Sequence, residues 1–587
     1  MRSRLLLVHL LVTSLFIVLL GRLWQVQVVD FDRYARAATE DHVRHVVIPA
    51  VRGRIVDDRG RPLVRNRTAM TVSVDLSTLS RQPDEGREVL RRLSGLLRVP
   101  QEEIARRARL CGPKVGRPCW PGSPYQPIPV AEGVDERTAM QIVERPEDFP
   151  GVVAELQPVR EYPNGRLAAH VLGYLAPEDR AVVGRDGLEA AYEADLRGTP
   201  GSRDLVVDSA GHVLRTLAEQ PPTPGATLVT SLDVKVQKAA ERALRRAVEA
   251  ARKRGRVADQ AAAVVMEART GRIVAMANLP SYDPSVWVGG IDPADYARLT
   301  SQKRGSPLLS RAVQGQWPPG STWKVTSTAA AVRYGYRLRG TYDCPGTYRV
   351  GDRDFRNYRA VDHGRIDLHR ALVVSCDTVF YKFAYDMWLR RPGKKHPMLS
   401  MAKAFGFGRK TGVDLPGEAP GHLPDRAWDW PGEAANFSIG QGEILVTPLQ
   451  LATAYAALAN GGTLFSPRVG KALVGADGRV LRKITPPVAG RLPVGAKTLA
   501  YTRKALADVP KSGTAAGAFA GFPLDRHPVA GKTGTAEVFG QQDTSWFASF
   551  DKRYVVVVMV AQGGNGGETA APAAREIWSH LYGVSKR

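Results

Sequence analysis

The chain has 587 residues, a hydrophobic share of 44%, a charged share of 24% and a formal net charge of +24. That length exceeds one compact core and points to several domains, and the globular composition excludes wholesale disorder. The positive charge is spread along the chain without a compact Lys/Arg motif, which argues against nucleic acid; with the N-terminus read below, an anionic membrane surface, or a diphosphate-bearing or wall-bound substrate, fits better.

The chain opens with Arg2 and Arg4 and then runs from Leu5 to Leu20 without a charge. The apolar stretch Leu23–Val29 completes a span of about twenty residues. A small-x-small cleavage pattern is missing, so residues 5–28 read as a retained transmembrane anchor rather than a signal peptide. The arginines hold residues 1–4 in the cytoplasm and send the rest outside. Cysteines there meet a compartment that permits disulfides, and Cys111 and Cys119 flank a turn-rich loop that could be closed by a local staple.

Residues 29–222 are mixed in pattern. Val51–Gly60 reads as strand, turn, strand, Met70–Asp75 as a strand, and Arg87–Leu97 and Glu102–Leu110 as helices. Residues 220–225, rich in proline, read as a linker. Beyond them Thr227–Leu232 is strand-like, and Asp233 is placed to cap a helix toward Arg252. Ala261–Glu267 and Arg272–Ala277 form an expected hairpin, and Ser545–Phe550 with Tyr554–Val560 a second strand pair. Lys324–Ala331, Thr378–Met387, Pro448–Ala459 and Ala574–Tyr582 read as helices. A sheet covered by helices is the simplest assembly.

Three clusters can carry chemistry. Ser321 follows a Pro-Pro-Gly break, in an expected first helical turn where free N–H groups favour developing negative charge. Lys324 lies three residues on, on the same face, and a buried neutral amine can take the serine proton. Lys532, Thr533, Gly534 and Thr535 form a small-residue strand against which a peptide can lie edge-on. Ser375 and Asp377, two residues apart at a helix start, lie between these clusters.

Ser-x-x-Lys, a serine-led middle motif and Lys-Thr-Gly, in this order, are the signature of penicillin-binding proteins and class A β-lactamases. The chain resembles a class B penicillin-binding protein. The resemblance extends to Arg52, Gly53, Asp57 and Gly60, to Arg160–Pro163, Ala169–Gly173 and Gly187–Glu189, and to Ile439–Glu443, Thr447–Leu451 and Ala459–Gly461. The middle motif ends in Asp377 rather than Asn and continues into Thr-x-Phe-Tyr, which is similar to elongation-type members more than to division-type ones.

The resemblance implies an α/β (α+β) transpeptidase domain, residues 223–587, on a mixed α+β pedestal of the dimerisation-domain kind, residues 29–222. It implies Ser321 as nucleophile and Lys324 as its base. Ser375, with Lys532, would shuttle the proton, Asp377 counts with the catalytic residues, and Thr533 and Thr535, with Gly534 between them in the substrate-binding strand, would bind the substrate's terminal carboxylate. The N–H groups of Ser321 and Thr535 would form the oxyanion hole. Partners would be nascent peptidoglycan from lipid II and a RodA-like SEDS glycosyltransferase, with Arg52 and Gly53 as contact residues. No cofactor is required. Some elongation-type relatives carry a structural zinc, for which Asp343, His363 and Cys376 are candidate ligands, although Asn357 stands where an Asp is expected; the competing reading is a buried thiol beside a solvated histidine. A secreted β-lactamase would not need the pedestal, and a β-lactam receptor would need a cytoplasmic domain larger than residues 1–4. A scaffold that chiefly activates the glycosyltransferase is the reading from another class.

Overall fold

A computed structural model describes residues 2–30, 43–112, 115, 119–120, 126–178, 181–207, 213–390, 396–426 and 428–584. Helix α1 (Arg2–Trp24) continues through a π-helical turn over Gln25–Val29. Its Val8–Val29 stretch is long and apolar enough to cross a membrane, and none of it is buried against the rest of the chain.

The pedestal is built from β1 (Val43–Ile48), β2 (Ile55–Val56), β3 (Pro62–Val74), α2 (Arg87–Leu97), α3 (Gln101–Arg107), β4 (Ile128–Val134), β5 (Val152–Glu161), β6 (Gly201–Val207) and β7 (Val213–Gln220). The expected Met70–Asp75 strand is the end of the longer β3. The Val51–Gly60 unit folds as anticipated, with β2 entering a turn closed by Gly60 at φ +77°. Strands β1, β6 and β7 make a small antiparallel sheet. The Cys111–Cys119 disulfide is formed.

The catalytic half contains β8 (Thr227–Thr230), α4 (Val234–Lys253), β9 (Gln260–Glu267), β10 (Ile273–Leu279), α5 (Lys324–Tyr334), α6 (Leu368–Val374), α7 (Thr378–Arg390), α8 (Pro448–Asn460), β11 (Gly470–Val474), β12 (Val480–Lys483), α9 (Ala496–Ser512), β13 (Ala530–Ala536), β14 (Thr544–Phe550), β15 (Tyr554–Ala561) and α10 (Ala570–Leu581). Asp233 caps α4 by accepting the N–H groups of Lys235 and Val236. The main sheet runs β10-β9-β15-β14-β13, antiparallel throughout, with α4, α8 and α10 packed on it. Strands β9 and β15 are buried along nearly their whole length, which explains their unbroken apolar runs.

The two halves are joined through the backbone. A second sheet runs β12-β11-β8-β2-β3-β4, with β5 on β3, and the β8–β2 pair is its parallel link from catalytic half to pedestal. Tyr192 donates to Asp414 at 2.6 Å across the same junction, Arg482 pairs with Asp195 at 2.6 Å, and Lys471 pairs with Asp58. Ile55, Leu63, Tyr162, Val171, Leu188 and Leu196 of the pedestal belong to the same apolar core as the main sheet. The rest of the pedestal, including Val72, Leu93, Ile104, Ile128, Ile142 and Phe149, has a core of its own.

This junction gives Arg52 and Gly53, expected as partner contacts, an internal role. The Arg52 side chain is only 10% exposed and pairs with Glu189 and Glu193, both at 2.6 Å. Glu189 is also held by the buried Arg160 at 2.7 Å. Gly53 donates to the Leu196 carbonyl and lies against Ala226, with no room for a side chain. Both residues thus join the pedestal to itself and to the segment that leads into β8.

Candidate active site

Pro318, Pro319 and Gly320 break the chain ahead of α5. Gly320–Trp323 forms a 3-10 turn, from which the α-helix continues at Lys324. Ser321 therefore stands one tight turn ahead of the α-helix rather than inside its first turn. Gly320 adopts φ +54°, and a Cβ there would lie 2.6 Å from the Thr535 carbonyl oxygen. On the strand side, a Cβ at Gly534 would lie 2.8 Å from the Pro319 carbonyl oxygen. The two glycines let the nucleophile turn and β13 touch. Gly320 N–H donates to Gly440 O, Trp546 Nε1 to Pro318 O and Tyr455 OH to Thr322 O, at 2.9, 2.9 and 2.8 Å, which fixes the turn from three sides.

Lys324 and Lys532 are both fully buried. Lys324 Nζ donates to the Ser375 carbonyl at 2.7 Å, to Ser375 Oγ at 3.1 Å and to Asp377 Oδ1 at 2.6 Å. Lys532 Nζ donates to the same Ser375 Oγ at 2.7 Å and to the Thr533 carbonyl at 3.1 Å. Ser375 ends α6 in the left-handed conformation, φ +62°, so that its hydroxyl and carbonyl both meet Lys324. Burial pushes the Lys324 amine below the ordinary lysine range, with Asp377 pulling the other way. Burial pushes Lys532 further, well below that range; the Lys324 cation adds to the effect and Asp377 opposes it. Two ammonium groups on one hydroxyl and one carboxylate are costly in a dry site, so the arrangement favours a neutral amine.

Strand β13 carries Lys532, Thr533, Gly534 and Thr535 and is the edge of the main sheet, paired to β14 on one side. Its other edge offers backbone groups to an extended peptide. Thr533 Oγ1 lies 2.6 Å from Thr514 Oγ1, and Thr535 Oγ1 accepts the Gly566 N–H at 3.2 Å. The site thus unites Lys324, Ser375, Asp377, Lys532 and Thr533 by direct bonds and brings Ser321, Gly534 and Thr535 onto one wall through glycine contacts. The sequence did not single out Thr514, which follows α9, a helix that was itself unread.

The proposed zinc ligands do not fit a metal. Cys376 is bonded to Cys344 in a disulfide, so neither a thiolate ligand nor a free buried thiol exists there. Asp343 lies on a short strand paired with Arg365, and His363 follows in the connecting loop with its N–H on the Cys344 carbonyl. Among the described residues no three His, Cys, Asp or Glu side chains converge on a metal-sized site. Asn357 fills the remaining position with a neutral amide whose oxygen accepts two backbone N–H groups.

Comparison with known proteins agrees with this geometry. Residues 261–579 match the penicillin binding protein transpeptidase domain, and residues 47–230 the penicillin-binding protein dimerisation domain. The chain is 32% identical to the peptidoglycan D,D-transpeptidase MrdA of Acinetobacter baumannii, over 98% of this chain and 87% of that one. A solved structure described as the structural coordination of polymerization and crosslinking by a peptidoglycan synthase complex is 29% identical, covers 99% of both chains and superposes with a TM-score of 0.71. The fold is also that of penicillin-binding protein PBP2 of Helicobacter pylori, solved in complex with MreC, with a TM-score of 0.76 at 24% identity over 92% of this chain and 99% of that chain. With a serine and two buried lysines meeting at an edge strand, the chain belongs to the penicillin-binding protein family, as a serine D,D-transpeptidase of the class B elongation type.

Proposed function

We propose that the protein cross-links peptidoglycan stem peptides through an acyl-serine. A donor peptide lies along the free edge of β13, with its terminal carboxylate at Thr533 and Thr535 and its reacting carbonyl oxygen between the N–H groups of Ser321 and Thr535. Ser321 Oγ attacks the penultimate D-Ala carbonyl while neutral Lys324 takes its proton. The C–N bond to the terminal D-Ala breaks. The proton passes through Ser375 Oγ, polarised by Lys532, to the leaving nitrogen, and D-Ala departs. An acceptor strand's amine then attacks the ester carbonyl, the C–O bond breaks, and the proton released returns to Ser321 Oγ. Each oxyanion-hole donor contributes roughly 3–4 kcal/mol to such a transition state. The observation that carries this reading is the convergence of two buried lysine amines on Ser375 Oγ beside the Ser321 turn.

In this reading the catalytic half stands outside the cytoplasmic membrane, held by α1. It works on lipid II-derived glycan beside a RodA-like SEDS glycosyltransferase met through the anchor and pedestal. The unburied apolar α1 and the fully exposed strand β7 support such contacts. The test is covalent labelling of the full chain with a fluorescent penicillin, beside Ser321→Ala. Stable labelling that vanishes in the variant is the expected result. A folded wild-type chain that takes no label defeats the acyl-serine reading.

A further inference from the structure

Helix α7 begins after an acidic residue that is not its cap. Elsewhere in the chain Asp135, Asp233 and Asp367 each turn a carboxylate onto N–H groups of the helix they precede. Asp377 holds the same place before α7, yet its Oδ1 meets Lys324 Nζ at 2.6 Å. The Phe380 N–H, the group such a cap would take, goes to the Asp377 carbonyl at 2.9 Å, and the N–H groups of Asp377 and Thr378 go to the side-chain oxygen of Asn357, at 2.8 and 3.1 Å.

Asn357 is 5% exposed and enters from a loop 20 residues upstream of Asp377. Its amide nitrogen donates to the carbonyls of Pro345 and Val361 at 3.0 and 2.8 Å and faces Cys344 Sγ at 3.4 Å. The Cys344–Cys376 disulfide, buried at both residues, ties this frame to the residue directly before Asp377. Thr378 Oγ1 closes it by donating to the Pro345 carbonyl at 3.0 Å. The fit is specific to an amide. A carboxylate here would face two carbonyl oxygens, and a shorter hydroxyl would not span from α7 to both carbonyls.

We infer that Asn357 is a positioning residue for acyl transfer: by accepting the backbone N–H groups of Asp377 and Thr378, it fixes the start of α7 and with it the Asp377 carboxylate on Lys324. Asn357 touches no reacting atom and acts through Asp377. The role rests on the acyl-serine reading above.

Stopped-flow labelling of the detergent-solubilised full chain with a fluorescent penicillin separates the half-saturating concentration from the limiting acylation rate. Asn357→Ser is expected to lower the limiting rate by about a hundredfold, the cost of misplacing a catalytic group by 1 Å, and to leave half-saturation unchanged. Asp377→Ala lowers the same rate, and Asn357→Ser adds little in that background, because both changes remove one interaction. If Asn357→Ser fails to fold by thermal melting, Asn357→Leu, branched like asparagine but without a hydrogen-bonding group, takes its place in the cycle. Losses that multiply in the double variant, or a folded Asn357 variant that acylates like wild type, overturn the inference. A wild type without label removes the acyl-serine reading and the positioning role together. Label in wild type with an indifferent Asn357 removes the positioning role alone.

Discussion

Lys324 and Lys532 both donate to Ser375 Oγ, but their surroundings divide the proton between them unequally. Burial lowers both, Lys324 presses further on Lys532, and Asp377 draws Lys324 back toward its protonated form. The base is active when neutral, so acylation rises as pH climbs through the Lys324 titration. Asp377 favours the cation, so its removal lowers the Lys324 value further. Asp377→Asn is therefore expected to move the rising limb of the acylation–pH profile to lower pH, even as the limiting rate falls. A limb that stays or moves upward would show that Asp377 does not set the protonation of the base. Residues at this scale were legible where chemistry follows local spacing: Ser321 and Lys324 share a helix face, and Lys532 to Thr535 share a strand. They were illegible where a partner is distant. Arg52 entered only as a partner contact implied by the family resemblance, whereas its carboxylate Glu189 lies 137 residues away. The Cys344–Cys376 bond had a signal in cysteine parity, since Cys111 and Cys119 leave just these two, but Asn357 drew notice only as a mismatch.

The site depends on two elements held at backbone contact, the 3-10 turn bearing Ser321 and the strand β13. Gly320 serves both demands of that contact, a left-handed φ and the absence of a Cβ beside Thr535. An L-residue in that conformation costs roughly 1–2 kcal/mol before any clash is counted. Gly320→Ala is expected to push the turn off β13 and reduce penicillin acylation at least about tenfold, the loss that 1.4 kcal/mol produces, while the chain still melts cooperatively. Undiminished acylation by the folded variant would mean that close approach of these elements is not needed. The elements themselves were readable in proportion to their burial. Strands β9 and β15 and helix α8 are buried almost throughout, so apolar runs betrayed them. Strand β7 is exposed along its whole length and leaves no period, whereas α9 does bury a helical stripe, Leu499, Thr502, Ala505, Leu506 and Val509, in which threonine and alanine weaken the apolar signal.

At the scale of the whole molecule, the division suggested by the proline-rich stretch at 220–225 is not the division of the cores. Strand β8 lies beyond that stretch yet pairs with β2, and pedestal residues such as Leu188 pack into the catalytic core. The distal pedestal around Leu93 forms a separate cluster. Sequence composition marks a linker, whereas the distribution of buried contacts decides which segments open together. The proximal pedestal is therefore expected to lose hydrogen-exchange protection together with the main sheet, and the distal lobe by itself. Leu93 and Leu188 are both fully buried, and truncating either to alanine costs roughly 2–5 kcal/mol locally. Leu93→Ala should raise exchange in α2, α3 and β4 while penicillin labelling persists to the wild-type urea concentration. Leu188→Ala should lower the urea concentration at which labelling is lost. Loss of labelling in step with the distal lobe in Leu93→Ala would show one cooperative unit, and an unchanged labelling midpoint in Leu188→Ala would show that the proximal pedestal and the catalytic half fold apart.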